Sequence, residues 1–121
     1  MIELLEGLPK HVVGAVAKGQ VTATDYEDVL IPAIERATKT NPKLRFYYEF
    51  GPSFIGMDPE TQWEDFEIDA PHWSQWDRIA VVTDIPWVGH AVNAFGVLMP
   101  CPTRVFAIDE RDEARSWIAA R

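Results

Sequence analysis

The sequence predicts an α/β domain: a mostly parallel five-stranded sheet, opened by an N-terminal antiparallel hairpin and carrying four helices, in the order ββαβαβαβα. Three observations lead there. Two β-rich runs at the start are separated by only four turn-prone residues. Strand-length apolar runs then alternate with segments of helical period, the pattern of a parallel sheet joined by right-handed helical crossovers. One of those runs, "DRIAVVTD", is almost continuously apolar, as strands covered on both faces are. At 121 residues the chain reads as a single domain, 1–121, able to bury roughly two thirds of its unfolded surface.

The hairpin strands are expected at about 2–6 and 11–18, joined by Gly7-Leu8-Pro9-Lys10. Thr24 followed by Glu27 reads as a capping box. Tyr26, Val29, Leu30, Ala33, Ile34 and Ala37 then recur at helical spacing, giving a first helix over about 25–39. Pro32 lies inside it and is expected to kink it, since proline removes one backbone donor and crowds the preceding turn.

"KLRFYYEF" is the third strand, ended by Gly51-Pro52. Asp58-Pro59 supplies an N-cap with proline at the first helical position, so a second helix is expected over about 59–69, with Trp63, Phe66 and Ala70 as its apolar stripe. "DRIAVVTD" follows, and its Asp84 is expected to cap a third helix within 85–99. "TRVFAI" is the last strand. Asp109 and Asp112 open a last helix whose Ala114, Trp117 and Ile118 face inward and whose tail carries Arg115 and Arg121, matching the helix dipole at both ends.

Charge is distributed unevenly. The net charge is −8, and residues 46–77 hold eight acids and no lysine or arginine. Such a segment repels phosphates, and no basic stripe compensates for it elsewhere, which argues against a nucleic-acid partner. The single cysteine, Cys101, lies between two prolines and can form no intrachain disulfide. With no basic leader followed by an apolar run at the start, a cytoplasmic protein is expected.

Ile79 to Thr103 is the opposite extreme, with one formal charge, Asp84, in 25 residues. The helix within it is too short to cross a bilayer, which takes about 20 apolar residues. Val88, Ala91, Val92, Phe95 and Met99 form one apolar stripe, and Trp87, Ala94, Val97 and Leu98 widen it, leaving Gly89, His90, Asn93 and Gly96 for water. The surplus must meet neighbouring helices, a second subunit, a ligand or a membrane interface. The loop "GPSFIGMDP" brings Phe54, Ile55 and Met57 to the same end of the sheet as Trp87. The expected ligand site is a groove between the second and third helices, lined by Trp63, Phe66, Trp87, Ala91 and Phe95, with those loop residues at its mouth.

Catalytic patterns are missing from the sequence. His11, His72 and His90 fall in different elements without metal-binding spacing, and the carboxylates of 58–69 fan around a helix instead of converging on an ion. Ser53 and Ser74 lack a nucleophile elbow, no glycine-rich phosphate loop exists, and Cys101 has no lysine, arginine or histidine within several residues on its N-terminal side to favour a thiolate. An enzyme's best chance would be a site using Asp84 and His90 at the start of the third helix, but six residues place them more than one turn apart, so neither is expected to be catalytic. No metal or other cofactor is expected.

The segments "VTATDYEDVLIPAIERA", "HWSQWDRIAVVTD" and "FGVLMPCPTRVFAIDERDEARSWI" resemble the SpoIIAA-like family of STAS-type domains, over essentially the whole chain. The resemblance implies the STAS fold, similar to the CRAL-TRIO lipid-binding fold. It also implies a non-enzymatic role: binding of a hydrophobic or lipid-like molecule, with transient peripheral membrane contact. A STAS-like protein-interaction or regulatory module, acting through an apolar surface or a homodimer, is the alternative. Antagonists of the SpoIIAA type carry a phosphorylatable serine in a D-S-S-G run; here the corresponding stretch is Met57-Asp58-Pro59-Glu60-Thr61, so that switch is not carried over.

Overall fold

A computed structural model describes residues 1–51, 54, 56–57, 76–96 and 101–120. Its main sheet has five strands: β1 (Ile2–Leu4), β2 (Val12–Ala17), β4 (Leu44–Phe50), β6 (Trp76–Val82) and β7 (Thr103–Phe106), side by side in that order. β1 pairs antiparallel with β2, and every other neighbour is parallel. Two further short strands, β3 (Gln20–Val21) and β5 (Gly56–Met57), form a separate parallel pair that the sequence pattern did not announce.

Three helices, not four, are present among the described residues. α1 runs from Ala23 to Thr40, α2 covers Pro86–Gly96, and α3 covers Arg111–Ala119 behind a 3-10 turn, Ile108–Glu110. The four-helix expectation is thus corrected to three helices among the described residues; the expected helix over 59–69 lies outside them.

α1 shows how the chain accommodates Pro32. Ala23–Asp25 and Ile31–Thr40 are α-helical, and Tyr26–Leu30 between them is a π-helical turn. Proline has no N–H to give the carbonyl four residues back and crowds it. Widening the turn ahead of Pro32 relieves that clash, so the expected kink takes the form of a π turn. The cap also differs from expectation. The Thr22 N–H and hydroxyl donate to the Asp25 carboxylate at 2.9 and 3.1 Å, and the Asp25 N–H donates back to Thr22 Oγ1 at 3.3 Å, two residues earlier than Thr24 and Glu27.

The order β2, β4, β6, β7 steps across the sheet in one direction. Right-handed crossovers then put the connecting helices on one face. α1 and α2 do share a face: Leu30, Ile34 and Val88 join Val13, Ala15, Leu44, Tyr48 and Val81 in one core. α3, after the last strand, lies on the opposite face, where Ala114 and Ile118 meet Val12, Tyr47, Ala80, Val82 and Phe106. Among the described strands the order never reverses, so they form no switch-point crevice of the kind that seats ligands in doubly wound folds.

The two faces separate by strand alternation, with one instructive exception. Leu44 opposes Trp76 while Arg45 opposes Arg78, so Asp77 is an extra, bulged residue on β6. Residues two apart on a strand ordinarily share a face. The bulge instead sends Trp76 into the α1–α2 core and Arg78 to the α3 face.

Candidate functional site

On the α1–α2 face, β4 presents Phe46, Tyr48 and Phe50 at two-residue spacing. Phe46 and Tyr48 lie with ring centroids 5.4 Å apart, Tyr48 and Phe50 stack at 4.7 Å, and Phe54 meets Phe50 edge-on at 4.8 Å. Trp76 extends the row beside Phe46 at 5.8 Å. Strand alternation alone produces this arrangement, because every second residue of "RFYYEF" falls on one side. Tyr48, Phe50, Phe54 and Trp76 are all buried. Rings this close are each other's packing partners, so the row is an aromatic seam.

Trp87 is different. It stands at the start of α2 with 55% of its surface exposed, more than any other large hydrophobic residue among those described. On the same helix Val88 is buried, Val92 packs against the core, as does Ile85 just ahead of the helix, and His90 and Asn93 face water. Gly89, expected to face water, is half-buried and turned to β7: a Cβ there would lie 3.8 Å from Val105. The helical wheel puts residue 87 on the flank of α2 opposite Gly89, hence on the side away from β7.

The other predicted site residues are only partly placed. Phe54 belongs to the aromatic seam. The backbone of Met57 pairs with Val21, just ahead of α1. Ala91 and Phe95 occupy α2, four and eight residues after Trp87, and their side chains lie outside the described residues, as do Ile55, Trp63 and Phe66 altogether.

The α3 face holds a polar cluster that the sequence reading missed. Arg45, 8% exposed, donates from Nε to Asp77 at 3.0 Å and from one terminal nitrogen to the carbonyls of Ile118, at 2.8 Å, and Ala120. Arg78 donates to the carbonyls of Trp117 at 2.8 Å and Ala120 at 3.0 Å. Among the described residues, the positive charge at the end of α3 therefore comes from two strands. The last turn of α3 among the described residues has no basic residue. Further along β4, the buried Tyr47 hydroxyl donates to buried Glu49 at 2.7 Å, with Arg111 at 3.9 Å from that carboxylate and Arg115 over the Tyr47 ring. Burial first, then the Glu49 bond, pushes the Tyr47 hydroxyl up to about 12. Apart from the Tyr47–Glu49 bond within β4, these contacts join elements dozens of residues apart, and no local spacing encodes them.

Chemistry is sparse here. Asp84 does not cap α2; its carboxylate accepts the N–H of Ile108 at 3.0 Å and so ties the end of β6 to the turn before α3. With Asp84 so engaged and His90 on the water-facing side of α2, no acid–base pair forms. Cys101 is half-buried, and burial raises its thiol pKa, with Asp77 adding to the shift and a Thr103 bond opposing it. No group of three or more His, Cys, Asp or Glu side chains placed to hold a metal occurs among the described residues. No helix among them is long and apolar enough to cross a membrane.

Comparison with known proteins agrees with this geometry. The SpoIIAA-like family model matches residues 12–119. Among solved structures, the chain is similar to an uncharacterized protein of the DUF3478 family from Shewanella loihica PV-4, which is described as having a SpoIIAA-like fold. The TM-score is 0.75 and the identity 21%, over 98% of this chain and 92% of that one. At that identity the likeness is one of fold. No curated protein matches the sequence.

Proposed function

We propose, from the premise that this chain belongs to the SpoIIAA-like family, that it is a non-enzymatic regulatory module that meets a protein partner through an apolar surface centred on Trp87. The observation that carries this reading is the exposure of Trp87, 55%, on a chain whose other described aromatic residues of the α1–α2 face pack against one another. A tryptophan left half in water at the start of a rigid helix supplies a large contact area at little entropic cost, the character of an interface anchor.

A second copy of the chain is the simplest partner. Sedimentation velocity over a concentration series, on the wild type and on Trp87→Glu, tests this. Concentration-dependent association that the substitution abolishes is the expected result; a monomer at every concentration removes the homodimer version and leaves a different protein as partner.

The hydrophobic or lipid-like ligand that the resemblance implies has narrower support. Phe54 already has its packing partner in Phe50, and the groove between α2 and residues 59–69 depends on side chains outside the described set. Native mass spectrometry after extraction, and flotation with phospholipid vesicles, separate that reading from the protein-partner one. A discrete lipid adduct, or flotation lost in Trp87→Glu, would favour the ligand or peripheral-membrane reading instead.

A further inference from the structure

β7 ends the main sheet, and no strand pairs with its outer side among the described residues. Ile79 donates to the carbonyl of Pro102 and Thr83 to that of Phe106, so the even-numbered residues turn their backbone groups toward β6. Alternation along the strand then sends the N–H and C=O of Thr103 and Val105 outward. Between them stands Arg104, exposed and on the α3 face. Its guanidinium carbon lies 4.7 Å from the Phe106 ring centroid and 5.3 Å from that of Trp117. No ion pair engages it among the described residues.

We infer that the β7 edge receives an extended segment of another protein whose carboxylate side chain stands opposite Arg104. The two rings hold the guanidinium plane in place. Its N–H edge is left free, and that edge is the part that takes a carboxylate through two parallel bonds. The backbone row of Thr103 and Val105 supplies the strand-addition contacts, and Arg104 supplies the selection.

Self-pairing is disfavoured by the same residue. Two copies of β7 joined antiparallel must pair outward residues with outward residues. The register of greatest overlap matches Thr103 with Val105 of the second copy and puts Arg104 opposite its own duplicate, at about 4.5 Å between Cα atoms. Like charges directly opposed destabilise the pair. Arg104 thus repels a second copy and attracts an acidic strand, which makes this surface distinct from the Trp87 surface proposed above.

The test uses the full chain, isotope-labelled, and two capped pentapeptides, Thr-Val-Glu-Val-Thr and its glutamine-centred counterpart. Amide shifts and slowed exchange at Thr103 and Val105 are expected, with the glutamate peptide bound about five-fold more tightly. Arg104→Gln should remove that preference while leaving the weak common binding, and Trp87→Glu should leave it intact. Equal binding of the two peptides by the wild type, or shifts confined to other strands, overturns the inference. So does a result in which Arg104→Gln only makes the protein self-associate, since Arg104 would then be a guard on the edge and nothing more.

Discussion

Arg45 and Arg78 are register partners on neighbouring parallel strands, and both donate to the carbonyl oxygen of Ala120. Side by side on one face of a sheet, two guanidiniums repel. Here the partial negative charge at the end of α3 and the bulged Asp77 carboxylate draw them together. The bulge that breaks the strand alternation is therefore also the device that seats the C-terminal helix.

Arg45 is the more buried of the two, so its loss strands more unsatisfied groups. Arg45→Ala should lower stability by about 2–3 kcal/mol and Arg78→Ala by about 1 kcal/mol, measured by urea denaturation. Arg45→Lys should recover only part, because an ammonium cannot reach Asp77 and two carbonyls in the same fork geometry. Equal losses for the two alanine variants would count against burial as the deciding factor.

Tyr47 and Glu49 make a second test on the same face. Tyr47→Phe removes the donor from a buried carboxylate and should cost about 1–2 kcal/mol near neutral pH. The pH dependence has a definite sign. A folded-state value near 12 against an ordinary 10 means that the native state keeps a proton the unfolded chain gives up. That contribution is complete below pH 10 and fades as pH rises toward 12. An alkaline stability profile should fall across that window in the wild type and fall less in Tyr47→Phe.

The parts of this fold written in local sequence were legible, and the parts written across it were not. The stripe Val29, Leu30, Ala33, Ile34 and Ala37 could be read from spacing, as could the apolar β6 and the inward Ala114, Trp117 and Ile118, because periodicity and burial share one geometry. The π turn at Tyr26–Leu30 is a response to Pro32 that spacing places but does not shape. Thr22 outcompeted Thr24 as the cap because its partner Asp25 also meets the Met1 ammonium at 3.3 Å, a contact set by β1. The two-residue pair β3–β5 is too short to carry a pattern. Of the candidate site, the apolar surplus of the segment that carries Trp87 could be read from its single formal charge, whereas the arginine cluster exists only once β4, β6 and α3 have met.

Asp25 gives that corner of the fold its own acid signature. Burial alone would raise its pKa, but the Thr22 amide and hydroxyl and the Met1 ammonium outweigh it, and the net direction is downward. A lowered carboxylate contributes stability above its unfolded value, near 3.8, and loses it as pH falls through the folded value. Asp25→Ala should cost about 1 kcal/mol at neutral pH and flatten the acid limb below about pH 4, by thermal melts across that range.

Gly14 in β2 faces the loop that closes the hairpin. A Cβ there would collide with the end of the Leu8 side chain and sit 3.2 Å from the Leu5 Cβ. Leu8 can swing aside, but Leu5 is tied through its N–H to the Gly14 carbonyl at 2.8 Å. Gly14→Ala should therefore destabilise by about 1–2 kcal/mol and Gly14→Val by more, by the same urea assay. An alanine variant as stable as the wild type would mean that the 5–11 loop is free to lift.

Trp76 and Trp87 are the same residue type in opposite circumstances, and the contrast separates folding from recognition. Trp76 is 6% exposed and packs on Phe46, so Trp76→Ala should remove about 3–5 kcal/mol and disturb the near-ultraviolet spectrum of the whole aromatic row. Trp87 is more than half exposed, so Trp87→Ser should change stability by no more than about 0.5 kcal/mol. It should also abolish the acrylamide-accessible part of the fluorescence contributed by that position. If Trp87→Ser instead unfolds the protein as readily as Trp76→Ala, Trp87 is a packing residue after all and the surface built around it loses its anchor. If stability holds while concentration-dependent association disappears, the residue acts through what it meets outside the chain, which is the distinction the Trp87 interaction surface requires.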